Sequence, residues 1–355
     1  MKIGLVLGAG GFVGGAWLTG ALEALEDESG VLPTSFDNLV GTSAGSMIAA
    51  LTGSGVHPSA VSDIFAGRAP RDGSEVAPKP AGATLRLQPG RPNPLPSSLK
   101  VAFNALRHRR TPVGVAFAAM MPRGFISTEP LRETVRQVVP SGWSAHPGLW
   151  LVSCEIGSGK RVALGRVGSP PVDLANAVAA SCAIPGFYCP VSIEGREYVD
   201  GGTCSPSNLD ILRDQHLDLV LCFNPTSSLH RAHTWNVTER IGSAYRSAAA
   251  VQLEREAATL RQGGAEVLTI QPTAEDLAMM GVNLMAANNL DAVSELARST
   301  VRRQLREPGA AEFMRAVAAR NDDLVVSRRA RTHRVRRART PAALRLPATG
   351  ASTAA

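Results

Sequence analysis

A serine flanked by small residues in the stretch Gly41 to Gly45 is the residue of this chain best placed to act as a nucleophile. The segment Phe36 to Val40 precedes it, and a helix-like run, Met47 to Leu51, follows it. This order predicts a sharp turn between a strand and a helix, which exposes the Ser43 hydroxyl and needs glycine on both sides. The start of the helix would favour negative charge that develops beside the serine.

A second glycine-rich turn follows the short apolar segment Ile3 to Leu7 at the chain start. Such a loop presents backbone N–H groups. We expect those of Gly10, Gly11 and Phe12 to form an oxyanion hole for the oxygen that becomes negative when an ester carbonyl is attacked. The same stretch contains two further glycines that would support this loop, Gly8 and Gly14.

Dinucleotide binding is the competing interpretation of the same loop. The fingerprint G-x-G-x-x-G, counted from Gly8, requires a glycine at position 13, where this chain has Val13. An acidic residue about 20 positions further on, which would contact the ribose, is not convincingly placed. The sequence therefore favours the oxyanion hole over a nucleotide site.

An aspartate followed by two glycines, Asp200, Gly201 and Gly202, ends a short apolar run. Taken alone, Asp-Gly is a common hairpin signal, so a turn is the simpler explanation. A serine hydroxyl is a poor nucleophile until a base accepts its proton, and Asp200 could be that base. We expect Ser43 and Asp200 to act together, with Gly201 and Gly202 as supporting residues.

These three motifs, in this order, resemble the bacterial type of the patatin-like phospholipases. Gly124 to Leu131 and Ala179 through Ser207 are also similar to that family, and the likeness extends over roughly residues 1 to 305. The resemblance implies a three-layer α/β/α fold with a mainly parallel central sheet and a Ser-Asp dyad that needs no histidine. It also implies hydrolysis of lipid carboxylic esters, as by a phospholipase A or lysophospholipase, without a metal or cofactor.

The glycine loop departs from the family's pattern. The family usually carries Arg or Lys just before the last glycine of this loop, whereas this chain has Val13 there, or Gly14 in the other register. A positive charge that could assist the oxyanion is therefore missing in either register. This difference bears on the reaction rate and on the charge of the preferred substrate.

Two other functions remain open from the sequence. A Ser-Asp-His triad is the first, because His230 and His233 follow Ser43 and Asp200 in the chain order of the α/β-hydrolases. Only 42 residues precede Ser43, which is too few for the strands that come before the elbow in that fold. The second is a non-catalytic protein of the same fold that binds lipid or associates with membranes.

Length and composition fit one catalytic domain over residues 1–310. The chain has 355 residues, of which 44% are hydrophobic, and its mean hydropathy is +0.01.

Seven prolines make residues 68–96 an irregular insert. The segment Leu99 to Met121, which follows it, is amphipathic and basic, and it is either a helix over the core or a lid. The five cysteines show no metal-ligand spacing, and no membrane span or secretory signal is apparent, which predicts a cytoplasmic enzyme.

The positive charge is concentrated at the C-terminus. The net charge is +7, and residues 324–355 contain eight arginines and no acid, so we expect residues 311–355 to be a basic, disordered tail. It is either a solvated extension or a peripheral contact with anionic lipid at the inner membrane face. Specific nucleic-acid binding is not expected, because residues 324–355 contain no aromatic residue. The sequence leaves the oligomeric state open.

Overall fold

An eight-stranded sheet forms the centre of the molecule in the computed structural model, which describes residues 1–70, 86–87, 115, 120–228 and 237–321. The strands are β1 (Ile3–Leu7), β2 (Asn38–Thr42), β3 (Arg86–Leu87), β4 (Ile126–Ser127), β5 (Leu149–Glu155), β6 (Lys160–Leu164), β7 (Val191–Ile193), β8 (Arg196–Asp200), β9 (Leu219–Phe223) and β10 (Glu266–Ile270). Strands β3 and β4 pair with each other outside the main sheet.

Five neighbouring strands of this sheet run parallel, in the order β10, β9, β1, β2, β5. The antiparallel strands β6 and β8 both pair with β5, and β7 pairs with β8. The prediction of a mainly parallel sheet is therefore confirmed, with an antiparallel part at one side. The carboxyl ends of β1 and β2 lie next to each other, so the two glycine-rich turns that follow them meet at one edge of the sheet.

Helices connect the strands. They are α1 (Gly11–Ser29), α2 (Ala44–Gly53), α3 (Pro58–Phe65), α4 (Glu129–Val138), α5 (Leu174–Ser181), α6 (Val237–Gln262), α7 (Ala274–Met280), α8 (Leu290–Leu305) and α9 (308–321). Short 3₁₀ helices span Pro33–Ser35, Gly201–Thr203 and Leu209–Gln215.

The central strands β1, β2, β5 and β9 are buried on both faces, which explains their largely apolar sequences. In β1, Leu5 and Leu7 point into one core, whereas Val6 points into the other, because successive side chains of a strand face opposite ways. The first core contains side chains from α1, α2, α3, α4, α5, α8 and α9. Residues of α6 and of the 3₁₀ helix Leu209–Gln215 cover the other face. The result is the three-layer α/β/α arrangement.

The predicted domain boundary at residue 310 needs correction. Residues 311–321 belong to helix α9, whose Phe313, Met314 and Val317 are buried in the first core. Their spacing of three and four residues is the pattern of a helix that packs with one face. Residues 322–355, which hold the arginine-rich part of the predicted tail, lie outside the described residues.

The structure also changes the expectation for the proline-rich insert. Residues Arg86–Leu87, inside residues 68–96, form the short strand β3 against β4, so the insert is not irregular throughout. Most of residues 71–119, including nearly all of the amphipathic segment from Leu99, lies outside the described residues.

Candidate active site

Ser43 lies in a tight turn between β2 and α2, where its backbone has φ 55° and ψ −123°. A positive φ is strained for a residue with a side chain and is typical of functional turns. The two glycines make room for this turn. A Cβ atom on Gly45 would lie 2.2 Å from the carbonyl oxygen of Leu7, and one on Gly41 would lie 2.5 Å from the carbonyl oxygen of Gly45.

Hydrogen bonds from a distant part of the chain hold this turn. The Ser43 N–H donates to Ser181 Oγ (3.1 Å), which itself donates to the Val152 carbonyl (2.5 Å). The Ser43 carbonyl accepts from Ser46 Oγ (2.6 Å) and from Cys182 Sγ (3.1 Å). Sequence reasoning assigned no role to Ser181 or Cys182, although both belong to a segment that resembles the family.

Asp200 ends β8, with its backbone paired opposite Ser153 of β5. Its side chain is buried, and Oδ1 accepts a hydrogen bond from the Gly202 N–H (2.7 Å). Burial raises the pKa of Asp200 to about 6, while hydrogen bonds from the Ser43 hydroxyl and from Gly202 lower it. The fold thus brings the serine hydroxyl and the carboxyl group together, although 157 positions separate them in sequence.

The chain after Asp200 does not form the hairpin turn that Asp-Gly could indicate. It enters the 3₁₀ helix Gly201–Thr203, and the Thr203 hydroxyl donates to the Asp200 carbonyl (2.8 Å). A Cβ on Gly201 would lie 2.3 Å from the Val152 carbonyl oxygen, and one on Gly202 would lie 3.0 Å from Asp200 Oδ1. Both glycines therefore let the turn approach β5 and the carboxyl group closely.

The glycine loop places the start of α1 beside Ser43. Gly10 precedes the helix, and Gly11 has φ +59°. Among the residues that the structure describes, none accepts a hydrogen bond from the N–H groups of Gly10, Gly11 or Phe12. Free N–H groups at a helix N-terminus attract negative charge, so this turn can hold an anionic oxygen.

The remaining residues of the loop pack against segments that lie far along the chain, after β9 and before α8. A Cβ on Gly8 would lie 2.3 Å from Asn224 Oδ1, and one on Gly14 would lie 3.1 Å from the Pro225 ring. Val13, at the position where a basic residue was expected, is buried, and its N–H donates to the Leu284 carbonyl (3.1 Å). The loop itself therefore presents no positive side chain to the site.

An open pocket borders the serine. Its lining is largely apolar and includes Ser43 together with two of the predicted oxyanion-hole residues. The lining residues are Gly11, Phe12, Ser43, Ala44, Met47, Ile64, Phe65, Leu131, Thr134, Cys182, Ile184, Tyr188 and Met285. A concave apolar surface with a few polar groups at one end suits a ligand with a hydrocarbon chain and a polar head.

The histidines of the alternative triad, His230 and His233, lie outside the described residues. Among the described histidines, His57, His146 and His216, none lines the pocket. His146 is buried elsewhere, where its ring donates from Nε2 to the Phe36 carbonyl (2.9 Å) and burial lowers its pKa.

In the part of the chain that the structure describes, no group of three His, Cys, Asp or Glu side chains is arranged to hold a metal ion. No helix in the same part of the chain combines the length and apolar character needed to cross a bilayer. The five cysteines are all free thiols.

Comparison with known proteins identifies the family. Residues 5–213, more than half of the chain, match the family model described as patatin-like phospholipase. A search of curated proteins finds no match. Among solved structures, the crystal structure of VipD from Legionella pneumophila is similar over 85% of this chain and 67% of that chain, with 12% sequence identity and a TM-score of 0.37. The match to the family model, which includes both glycine turns and Asp200, shows that this chain belongs to the patatin-like phospholipase family.

Proposed function

We propose that this protein is a serine hydrolase that cleaves lipid carboxylic esters through a Ser43-Asp200 dyad. Membership of the family supports lipid acyl hydrolysis in general. The observation that carries the specific proposal is the contact between the Ser43 hydroxyl, in its strained turn, and the buried Asp200 carboxyl group. A hydroxyl beside a buried base is the arrangement that activates serine for attack.

In the first half of the reaction, Ser43 Oγ attacks the ester carbonyl carbon while Asp200 accepts its proton. The carbonyl electron pair moves onto oxygen, and the N–H groups of Gly10, Gly11 and Phe12 donate to the resulting oxyanion. When the tetrahedral intermediate collapses, the alcohol leaves and takes the proton from Asp200. An acyl group then remains on Ser43.

In the second half, water attacks the acyl-serine and Asp200 again serves as the base. The carboxylic acid leaves, and the proton returns to Ser43 Oγ. Every proton moves between Ser43, Asp200, water and the substrate. The cycle therefore needs neither a metal nor a cofactor.

The pocket supports a substrate with an acyl chain. Its apolar wall is formed by residues such as Met47, Ile64 and Leu131, which could contact hydrocarbon. Phospholipids, lysophospholipids and neutral glycerides all contain a fatty-acyl ester bond. We therefore assign lipid acyl esters as the substrate class. Because the glycine loop presents no positive side chain, it would not attract a negatively charged headgroup to the region next to Ser43.

The test compares hydrolysis of a short p-nitrophenyl ester by the parent and by Ser43→Ala. We expect the variant to lose at least about three orders of magnitude in turnover, because no other group supplies the nucleophile. Its melting temperature should stay within a few degrees of the parent's. Ser54→Ala, at the other end of α2, is the matched control and should retain parent activity.

Unchanged hydrolysis by purified Ser43→Ala would refute the enzyme assignment at this site. If the parent itself binds lipid vesicles but hydrolyses no acyl ester, the non-catalytic alternative is correct. Loss of activity in Ser43→Ala with full activity in Ser54→Ala supports the proposed dyad.

A further inference from the structure

Asn208 is a buried polar residue outside the three motifs. It lies eight positions after Asp200, immediately before the 3₁₀ helix Leu209–Gln215, and its exposed fraction is 0%. Its backbone is left-handed, with φ 51° and ψ 30°. Asparagine tolerates this conformation better than most residues with side chains. A fully buried amide must find hydrogen-bond partners, so its contacts are informative.

The amide of Asn208 bonds to the neighbours of both proposed catalytic residues. Its Nδ2 donates to Thr42 Oγ1 (3.1 Å), to the Gly201 carbonyl (3.2 Å) and to the Ser205 carbonyl (2.6 Å). Thr42 directly precedes Ser43, and Gly201 directly follows Asp200. One side chain therefore joins the serine turn on β2 to the aspartate turn after β8.

Its partners allow only one orientation of this amide. Asn208 Oδ1 accepts from Arg161 Nη1 (3.2 Å). Arg161 is itself fixed by two hydrogen bonds to the Asp210 carboxylate (2.6 and 2.9 Å). Carbonyl oxygens only accept and a guanidinium only donates, so exchanging the oxygen and nitrogen of the amide would break both sets of bonds. The amide is thus held at a defined position.

We propose that Asn208 is a positioning residue, which holds the Ser43 turn and the Asp200 turn at the separation that proton transfer needs. This inference rests on the proposed function, since it assigns a role in the same dyad. Asn208 touches neither substrate nor the reacting atoms. Proton transfer requires donor and acceptor within hydrogen-bond distance, so loosening either turn should slow the chemical step more than it weakens substrate binding.

The test uses Asn208→Gly in the full-length protein. Glycine adopts the left-handed backbone without strain, so the change removes the amide with little effect on the backbone. Steady-state kinetics on a short p-nitrophenyl ester should show kcat lowered about 10- to 100-fold, with KM within about threefold of the parent. Asn289→Gly is the matched control. Asn289 is an exposed, left-handed asparagine (φ 60°) at the start of α8, and its replacement should leave kcat and KM unchanged.

Thr42→Val removes only the hydrogen bond from Asn208 to the serine turn, because valine keeps the shape of threonine but cannot accept a hydrogen bond. We expect kcat to fall at least threefold without a change in KM. If both residues act through one hydrogen bond, Thr42→Val should add little to Asn208→Gly in the double variant.

The pH profile distinguishes positioning from a general loss of stability. In the parent, the buried Asp200 carboxyl has a pKa of about 6. If the Asp200 turn loosens in Asn208→Gly, water can reach the carboxyl group and stabilise its ionised form. The acidic midpoint of kcat/KM should therefore move to lower pH in this variant. The titratable groups close enough to feel the charge of Asp200 are the thiols of Cys154 and Cys182 and the phenol of Tyr245. None of the substitutions in this test alters them.

The outcomes separate this inference from the proposed function. Lower kcat with a lower acidic midpoint in Asn208→Gly supports positioning, whereas parent kcat, or the parent midpoint, overturns it. Should Asn208→Gly fail to fold, Thr42→Val decides: a loss of at least threefold in kcat supports the inference, and parent kcat overturns it. If Ser43→Ala remains active, the proposed function itself has failed. If Ser43→Ala is inactive but Asn208→Gly behaves like the parent, only the role of Asn208 is refuted.

Discussion

At the scale of single residues, the proposed chemistry depends on the environment of Asp200. Burial raises its pKa from 3.8 to about 6, and only the ionised carboxylate can accept the Ser43 proton. Activity should therefore be full above about pH 7 and fall as the pH drops through 6. A profile of kcat/KM against pH for a short ester measures this midpoint. Activity that persists unchanged at pH 4.5 would contradict the assigned base.

The identity of the base gives a second prediction. Asp200→Asn keeps the shape of the side chain but cannot accept the proton, so turnover should fall by about two or more orders of magnitude. The double variant His230→Ala, His233→Ala should remain within a few-fold of the parent. Comparison of their kcat values checks both expectations. The reverse pattern would favour the Ser-Asp-His triad.

The sequence predicts some of these residues and not others, for a physical reason. Ser43 and Asp200 stand in short local patterns, in which glycines mark the turns around them. Ser181 and Asn208 contact the serine turn from 138 and 166 positions away, through single hydrogen bonds to Ser43 and Thr42. No local spacing encodes such contacts, because they arise only when β2, β5 and β8 are paired.

At the scale of the elements, the turn between β2 and α2 depends on close backbone approach. Gly45→Ala would place a methyl group against the Leu7 carbonyl on β1, and we expect it to lower the free energy of unfolding by about 2 kcal/mol or more and to reduce activity. Gly309→Ala in α9 is the control. A Cβ there meets no described atom within 4 Å, so stability should be unchanged or slightly higher. Thermal or urea unfolding with an activity assay tests both variants, and equal stability of the two would contradict the packing argument.

Element types followed from periodicity more reliably than element boundaries. The apolar segment Ile3 to Leu7 coincides with β1, because a strand buried on both faces is almost wholly apolar. The strand expected over Phe36 to Val40 lies two residues further on, as β2. The antiparallel pairing of β6, β7 and β8 was not predicted, since strand direction depends on partners far along the chain. Helix α9 was missed because the arginines that follow it dominate the composition, although Phe313 and Val317 carry a helical spacing.

At the scale of the whole molecule, the arginine-rich residues after α9 give a separate prediction. If they attach the enzyme to anionic lipid, truncation after Asp323 should leave turnover on a soluble ester unchanged but weaken sedimentation with anionic vesicles. Moderate salt should have the same effect, because exposed charges are screened over about 8 to 10 Å at physiological ionic strength. The cut leaves α9 intact. Equal vesicle binding by both proteins would make the tail a solvated extension.

The central claim is that Ser43 is an activated nucleophile in the intact protein. The most direct measurement is reaction of the full-length chain with a fluorophosphonate probe, followed by mass spectrometry of the modified peptide, since only an activated serine reacts quickly. We predict rapid labelling on Ser43, much slower labelling in Asp200→Asn, and none in Ser43→Ala. Labelling of Ser43→Ala at the parent rate, or no labelling of the parent, would contradict the account.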